Sequence, residues 1–499
     1  MTTLIKNALV YDGSGTPPVK KDILVRDSFI VKIDSISRGH ADEVVDAAGA
    51  MVTPGFIDVT THSDHHMSLF YEPYQEDFVR QGITTIIGGN CGVSLAPLLN
   101  GSLISLREWG SEFRENIGWH SVHEFLTLLT KKGVGINFGT LVGHTTIRRA
   151  LTKNKFRDLT ESEISAFKKI LSVSLKEGAF GLSTGLEHTH AKKTPFNELK
   201  ELLTILAKHG GVYATHLRDS KENLIDAVRE TLSLSAETGC NVEISHLQPL
   251  KAYTALYREA AELIEHESSK QHIHFDVHPF ETAPFLIYEL LPEWFHEEYL
   301  ETMREHLHLK VLQERLFEHF KKLPARDYII THVPDSSLKF LEGISIREFA
   351  LRNEKKFEEA LLALMDMTAL RATVSAKVVD EELLLLFLAH PNSIISSNAA
   401  SFGKKEFKTT QSTSTFPSFL SLVSEKKIMS IEKAIQKISS LPAQKYSIEK
   451  RGLIKEGYYA DLVILSKDKP RDVFINGVRV LRDEVYIPTL AGMVLHSKP

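Results

Sequence analysis

The stretch GFIDVTTHSDHH, Gly55 to His66, is a short apolar run that ends in a cluster of histidines around one aspartate. Successive side chains on a strand point to opposite faces, so residues two apart share a face. A metal site built on one strand end therefore wants ligands at i and i+2. Here that spacing pairs Thr60 with His62, His62 with Asp64, and Asp64 with His66. Threonine stands where a second histidine would complete the first pair.

Downstream the same pattern recurs. Short apolar runs lie at 55–59 (GFIDV), 84–89 (TTIIGG), 134–142 (VGINFGTLV) and 179–185 (AFGLSTG). Others follow at 211–216 (GVYATH), 241–246 (NVEISH), 273–280 (IHFDVHPF) and 393–398 (SIISSN). Between them lie windows such as TESEISAFKKILSVSLKEG and ENLIDAVRETLSLSAETG, with apolar residues three and four apart and a closing glycine, which read as amphipathic helices. Eight such strands fit an α/β (β/α)8 TIM-like barrel over 55–443. A doubly wound sheet would give the same local signal. The Glu-, Lys-, His- and Leu-rich segment at about 285–370 breaks the rhythm and reads as a helical insertion. Both ends return to short β-prone runs, so 1–54 and 444–499 are expected to share one small composite β-sandwich.

Composition excludes several classes. A chain of 499 residues with 42% hydrophobic and 25% charged residues is an ordinary globular protein of more than one simple core. A net charge of -5 gives no electrostatic footprint for nucleic acid or an anionic membrane. The opening MTTLIKNALVYDGSG has no signal-peptide core, and LLLLFLA (Leu383 to Ala389) falls short of the roughly 20 residues that span a bilayer. Cys91 and Cys240 cannot make a disulfide framework. A cytoplasmic protein with a small-molecule partner, and neither nucleic acid nor membrane, is expected.

The chemistry gathers at strand ends, where a (β/α)8 barrel keeps its reactive groups. His62, Cys91 in GGNCG, His216 in YATH and His246 in EISH occupy four of them. A lone strand-end histidine is ordinarily a hydrogen-bonded residue, and a free cysteine a small buried hydrophobe. Together they form a thiolate and imidazole set suited to Zn2+, and three protein ligands with an open position is the catalytic arrangement. Asp64 is a candidate to orient a ligand or handle a proton. Glu187, His188 and His190 either line the pocket or are loop polarity, and His278 points into the same mouth.

The motifs TPGFIDV with THSD, GITTIIGGNCGVSLAP, GAFGLSTGL, HGGVYATHLRDS and SLPAQKYSIEKRGLIKEGYYADLVIL resemble the N-acyl-D-amino-acid deacylase (D-aminoacylase) branch of the amidohydrolase superfamily. The resemblance runs nearly end to end and weakens in the insertion. It implies a metal-dependent barrel with a β-sandwich from both termini, and hydrolysis of a non-peptide amide bond on an N-acyl amino acid or related amide. It also implies that Cys91, His216 and His246 hold one tight zinc ion, with His62 at a weaker adjacent position. The family's other first-strand histidine falls at Thr60. Its general base after the eighth strand falls at Asn398, and a neutral amide cannot act as a base at ordinary pH. The cations that grip the substrate carboxylate fall at Gln248 and Gln411, and glutamine does not replace a charged or bidentate contact. Two outcomes stay open. One is a hydrolase of altered or reduced activity, with His62, Asp64 or Asp276 handling the proton; the other is a zinc-binding pseudoenzyme that binds a ligand or partner.

Overall fold

Strands buried on both faces must have both faces covered, which is the condition of a parallel barrel inside a ring of helices. The computed structural model describes residues 1–37, 41–99, 117–268, 271–297, 299–324 and 326–497. Its barrel strands are Phe56–Asp58, Ile83–Gly88, Asn137–Thr140 continued by Val142–Gly143, Gly181–Gly185, Val212–His216, Asn241–Ile244, Ile273–Val277 and Ser393–Ile395. Neighbours pair in parallel and in chain order. Strand eight returns to strand one just beyond the regular ladder. Asn398 N donates to Thr60 O at 3.0 Å, and His62 N donates to Ala399 O at 2.8 Å.

The outer helices follow the sequence signals. Glu161–Lys176 starts in a reciprocal cap between Thr160 and Glu163. Leu224–Thr238 ends at Gly239, whose φ of 72° suits glycine. Tyr213 joins the large core between strands and helices, whereas its neighbours Val212 and Ala214 join a smaller cluster with Ile57, Ile87, Phe180, Ile394 and Tyr446. By alternation, His216 shares the inner face with Ala214.

Residues from both ends of the chain form the β-sandwich, whose strands hydrogen-bond into one continuous nine-stranded sheet. Met51–Pro54 is the joint, parallel to Thr2–Val10 and antiparallel to Leu462–Ser466. The last residues leave this unit, contrary to a sandwich extending to 499. Phe138 N donates to Met493 O at 2.9 Å and Leu495 N donates to Phe138 O at 2.7 Å, so the tail runs along the third barrel strand.

The insertion is not purely helical. Thr282–Leu286, Ile329–His332 and Thr373–Lys377 form a three-stranded antiparallel sheet. Four α-helices, Leu300–His306, Lys310–Phe320, Ile346–Arg352 and Phe357–Met367, pack on it around a separate core that includes Met303, Leu316, Ile330, Leu364 and Val374. The β-prone runs YIITH and TVSAK are too short to stand out against the charged helical sequence around them. Among the described residues, no helix is long and apolar enough to cross a membrane.

A buried polar knot ties the sandwich to the barrel. Asp461 accepts from Arg451 Nη1, from Asn137 Nδ2 at 3.0 Å and from the Asn476 amide at 2.7 Å. The side chains of Arg451 and Asp461 are only 2% and 4% exposed. Asp461→Ala would leave the Arg451 charge buried without its carboxylate, at a cost of about 3–5 kcal/mol. The urea midpoint of the variant is expected to fall clearly; an unchanged midpoint would show that the knot does not hold the two units together.

Candidate metal centre

The GGNCG turn explains how a cysteine comes to face the barrel axis. Asn90 Nδ2 donates to Ile87 O at 2.9 Å and to Val59 O at 3.2 Å, clamping the second strand end to the first. Gly89 has a φ of 76°, and a Cβ there would sit 2.2 Å from Leu141 O. No other residue fits this turn without moving the third strand. Cys91 follows with a φ of 50°, while His246 has 39° and Asn398 has 49°. Left-handed backbone at a cysteine and a histidine costs about 1–3 kcal/mol each and persists where the surroundings over-determine it.

Cys91, His216 and His246 converge, with their ligand-capable atoms all within 4.8 Å of one another. Cys91 Sγ lies 3.5 Å from His246 Nε2. A tetrahedral zinc ion, at ~2.3 Å from sulfur and ~2.0 Å from nitrogen, needs those two atoms about 3.5 Å apart. Cys91 is buried and the two histidines are partly exposed, which leaves one side of the cluster open to the mouth. The donor set therefore fits a divalent ion, with zinc the natural choice for a thiolate and two imidazoles.

The groups of the cluster perturb one another strongly. Burial works against charge on His216, yet the Cys91 sulfur and the Glu187 carboxylate outweigh it and raise its pKa to about 10. Burial and the neighbouring imidazoles push His246 well below the ordinary histidine range. Glu187 is partly desolvated, but its bond to His216 prevails and holds it down at about 2.

An amidohydrolase family model matches residues 406–483. Over 472 residues the chain is 28% identical to the N-acyl-D-aspartate deacylase of Alcaligenes xylosoxydans xylosoxydans, covering 92% of this chain and 85% of that one. It is 27% identical to the D-aminoacylase of the same organism, covering 99% and 97%. A solved D-aminoacylase, described by its binuclear metal centre with one-metal activation and second-metal attenuation, superposes with a TM-score of 0.81 at 26% identity over 99% of both chains. Over nearly its whole length the chain is similar to the D-aminoacylase branch of the amidohydrolase superfamily.

The residues at which the resemblance implies a departure from the D-aminoacylase pattern all have partners of their own. Thr60 is buried and its hydroxyl donates to Asp276 Oδ2 at 2.7 Å. Ser396 Oγ donates to the other Asp276 oxygen, and burial raises that carboxyl. His62 stands beside the cluster, with Nε2 2.7 Å from Asn398 Oδ1. Burial, aided by His65, lowers its pKa to about 4. Asp64 Oδ2 accepts the Gly89 amide at 2.7 Å, which pins it against the second strand and outside the converging trio.

The expected substrate residues are likewise engaged. Gln248 Nε2 donates to His278 O and Phe280 O, each at 3.0 Å, and its Oε1 accepts the His278 amide at 3.2 Å. Gln411 is buried in the first turn of Thr410–Lys426 and reaches Thr282 O at 3.5 Å. His278 is buried, and its Nδ1 has no hydrogen-bond partner among the described residues. Composition of the GLEHTH loop did not decide the place of Glu187. The register does, because Gly185 pairs with His216 and so carries the residue two further on over that imidazole.

The trio makes a direct prediction. Cys91→Ala protein should lose its zinc on dialysis, measured by atomic absorption, while the parent retains it. A full equivalent of zinc in the variant would place the ion elsewhere.

Proposed function

We propose that the protein is a one-ion amide hydrolase acting on small N-acylated compounds whose carboxylate is absent or masked. The observation that carries this reading is the convergence of Cys91, His216 and His246 beside an Asn398–His62 pair. A divalent ion bound by the trio supplies Lewis acidity toward a carbonyl and toward water. The second position has lost its donors, since Thr60 is committed to Asp276 and Asn398 is an amide bonded to His62. This supports one ion rather than two, and both free, buried cysteines suit a reducing, cytoplasmic setting.

The chain's own residues divide the remaining work. Asn398 cannot take a proton. Asp276 accepts from two hydroxyl donors, one on each oxygen, and Asp64 is tied through one oxygen to the Gly89 amide, away from the trio. We assign the proton to His62, which burial keeps neutral and which stands beside the trio. Its Nε2 proton is bonded to Asn398 Oδ1, so proton uptake falls to Nδ1. Gln248 acts on the substrate side by bracing the backbone that carries His278, and its amide is consumed in that task. Neither it nor Gln411 supplies a cation for a carboxylate. A barrel that binds without turnover is the weaker reading, because the ligand set is intact and the relatives matching 92% and 99% of the chain are deacylases.

Wild-type protein should hydrolyse N-acyl-D-amino acids slowly and their amides or esters at the α-carboxyl faster. Asn398→Asp should raise kcat on the same substrates, while His62→Gln should lower it by about 10²- to 10⁴-fold, the usual worth of a positioned acid or base. Unchanged kcat in His62→Gln would contradict the proton assignment. Fast wild-type turnover of free N-acyl-D-amino acids would contradict the substrate assignment.

A further inference from the structure

We infer that Glu187 is a positioning residue for the metal, fixing the tautomer and aim of His216. The inference rests on the metal site proposed above and concerns a residue outside the ligand set.

His216 Nε2 lies 2.9 Å from Glu187 Oε2. A carboxylate only accepts hydrogen bonds, so Nε2 must carry the ring proton and donate it. Nδ1 is then the nitrogen left to give its lone pair to the ion. Without such a partner a neutral imidazole has two tautomers and a freely turning ring, and only one combination presents Nδ1. Carboxylates that hold a ligating histidine in this way also raise its basicity.

The carboxylate is itself held on its other side. Ser220 Oγ donates to Glu187 Oε1 at 3.0 Å, so both oxygens are used and the group cannot swing. Ser220 lies on the loop that follows the strand bearing His216, so the loop fastens the carboxylate to the same strand end. The next residue, Lys221, reaches Glu289 Oε2 at 3.3 Å. Glu289 belongs to the short 3-10 helix Ile287–Leu290 at the start of the insertion. The insertion thereby helps fix the loop that holds the carboxylate. Side-chain exposures of 17% for His216 and 20% for Glu187 show that the pair sits at the rim, where solvent would otherwise compete for the imidazole.

The test is zinc affinity, measured on the full chain by competition with a chromogenic chelator, for wild type, Glu187→Gln, Glu187→Asp and Cys91→Ala. Glu187→Gln keeps the shape but not the carboxylate, and it should weaken zinc binding about 10- to 100-fold. Glu187→Asp should recover part of that loss. In the cobalt(II)-loaded protein, Glu187→Gln should also shift the visible absorption that reports ligand geometry. The urea midpoint of the metal-free protein reports separately the loss of the Glu187–His216 pair, whereas the zinc affinity and the cobalt spectrum report the positioning role. Wild-type zinc affinity in Glu187→Gln would overturn the inference, as would a fall in metal-free stability with zinc affinity unchanged. If Cys91→Ala bound zinc as tightly as wild type, the metal site itself would be refuted and this inference with it. A Cys91-dependent site indifferent to Glu187→Gln would refute the inference alone.

Discussion

Closing the barrel is the constraint on which the rest depends. The backbone bonds from Asn398 to Thr60 and from His62 to Ala399 bring the eighth strand back to the first. They also bring His62 and Asn398 side by side, and they press Thr60 toward Asp276 across the barrel. A parallel barrel places every strand end in one ring, so residues more than 300 positions apart in sequence meet without any local motif to bring them together. The left-handed backbone at Cys91, His246 and Asn398 is what that meeting costs.

Much of this was legible in the chain. Short, nearly uninterrupted apolar runs mark strands covered on both faces, and the helical windows between them end at glycine where the structure ends its helices. Cys91, His216 and His246 stood out because each terminates such a run. Other features were not legible, for physical reasons. The insertion's sheet is made of runs four and five residues long, paired across gaps of dozens of residues. The tail's return along Phe138 is a backbone pairing that leaves no pattern in its side chains. Gln248 reads as a lost cation, but its structural role is an amide bonded to three backbone groups, which no residue type announces. Glu187 becomes meaningful only once the register sets Gly185 beside His216.

The substitutions relative to the family form one connected change. Thr60, where the resemblance implies an imidazole, donates its hydroxyl to Asp276, and Asn398, where it implies a carboxylate, gives His62 a neutral partner. On the proposed reading the second ion position loses its donors on both sides at once, while Cys91, His216 and His246 stay together with the Glu187 carboxylate behind His216. The site we propose keeps one ion and shifts proton handling from a carboxylate to an imidazole.

The number and place of ions is the central point, and anomalous diffraction at the zinc edge from crystals soaked in zinc reads both at once. A single strong peak between Cys91 Sγ, His216 Nδ1 and His246 Nε2 is the predicted result. A second peak of comparable height beside His62 and Asn398, or no peak at the trio, would contradict it.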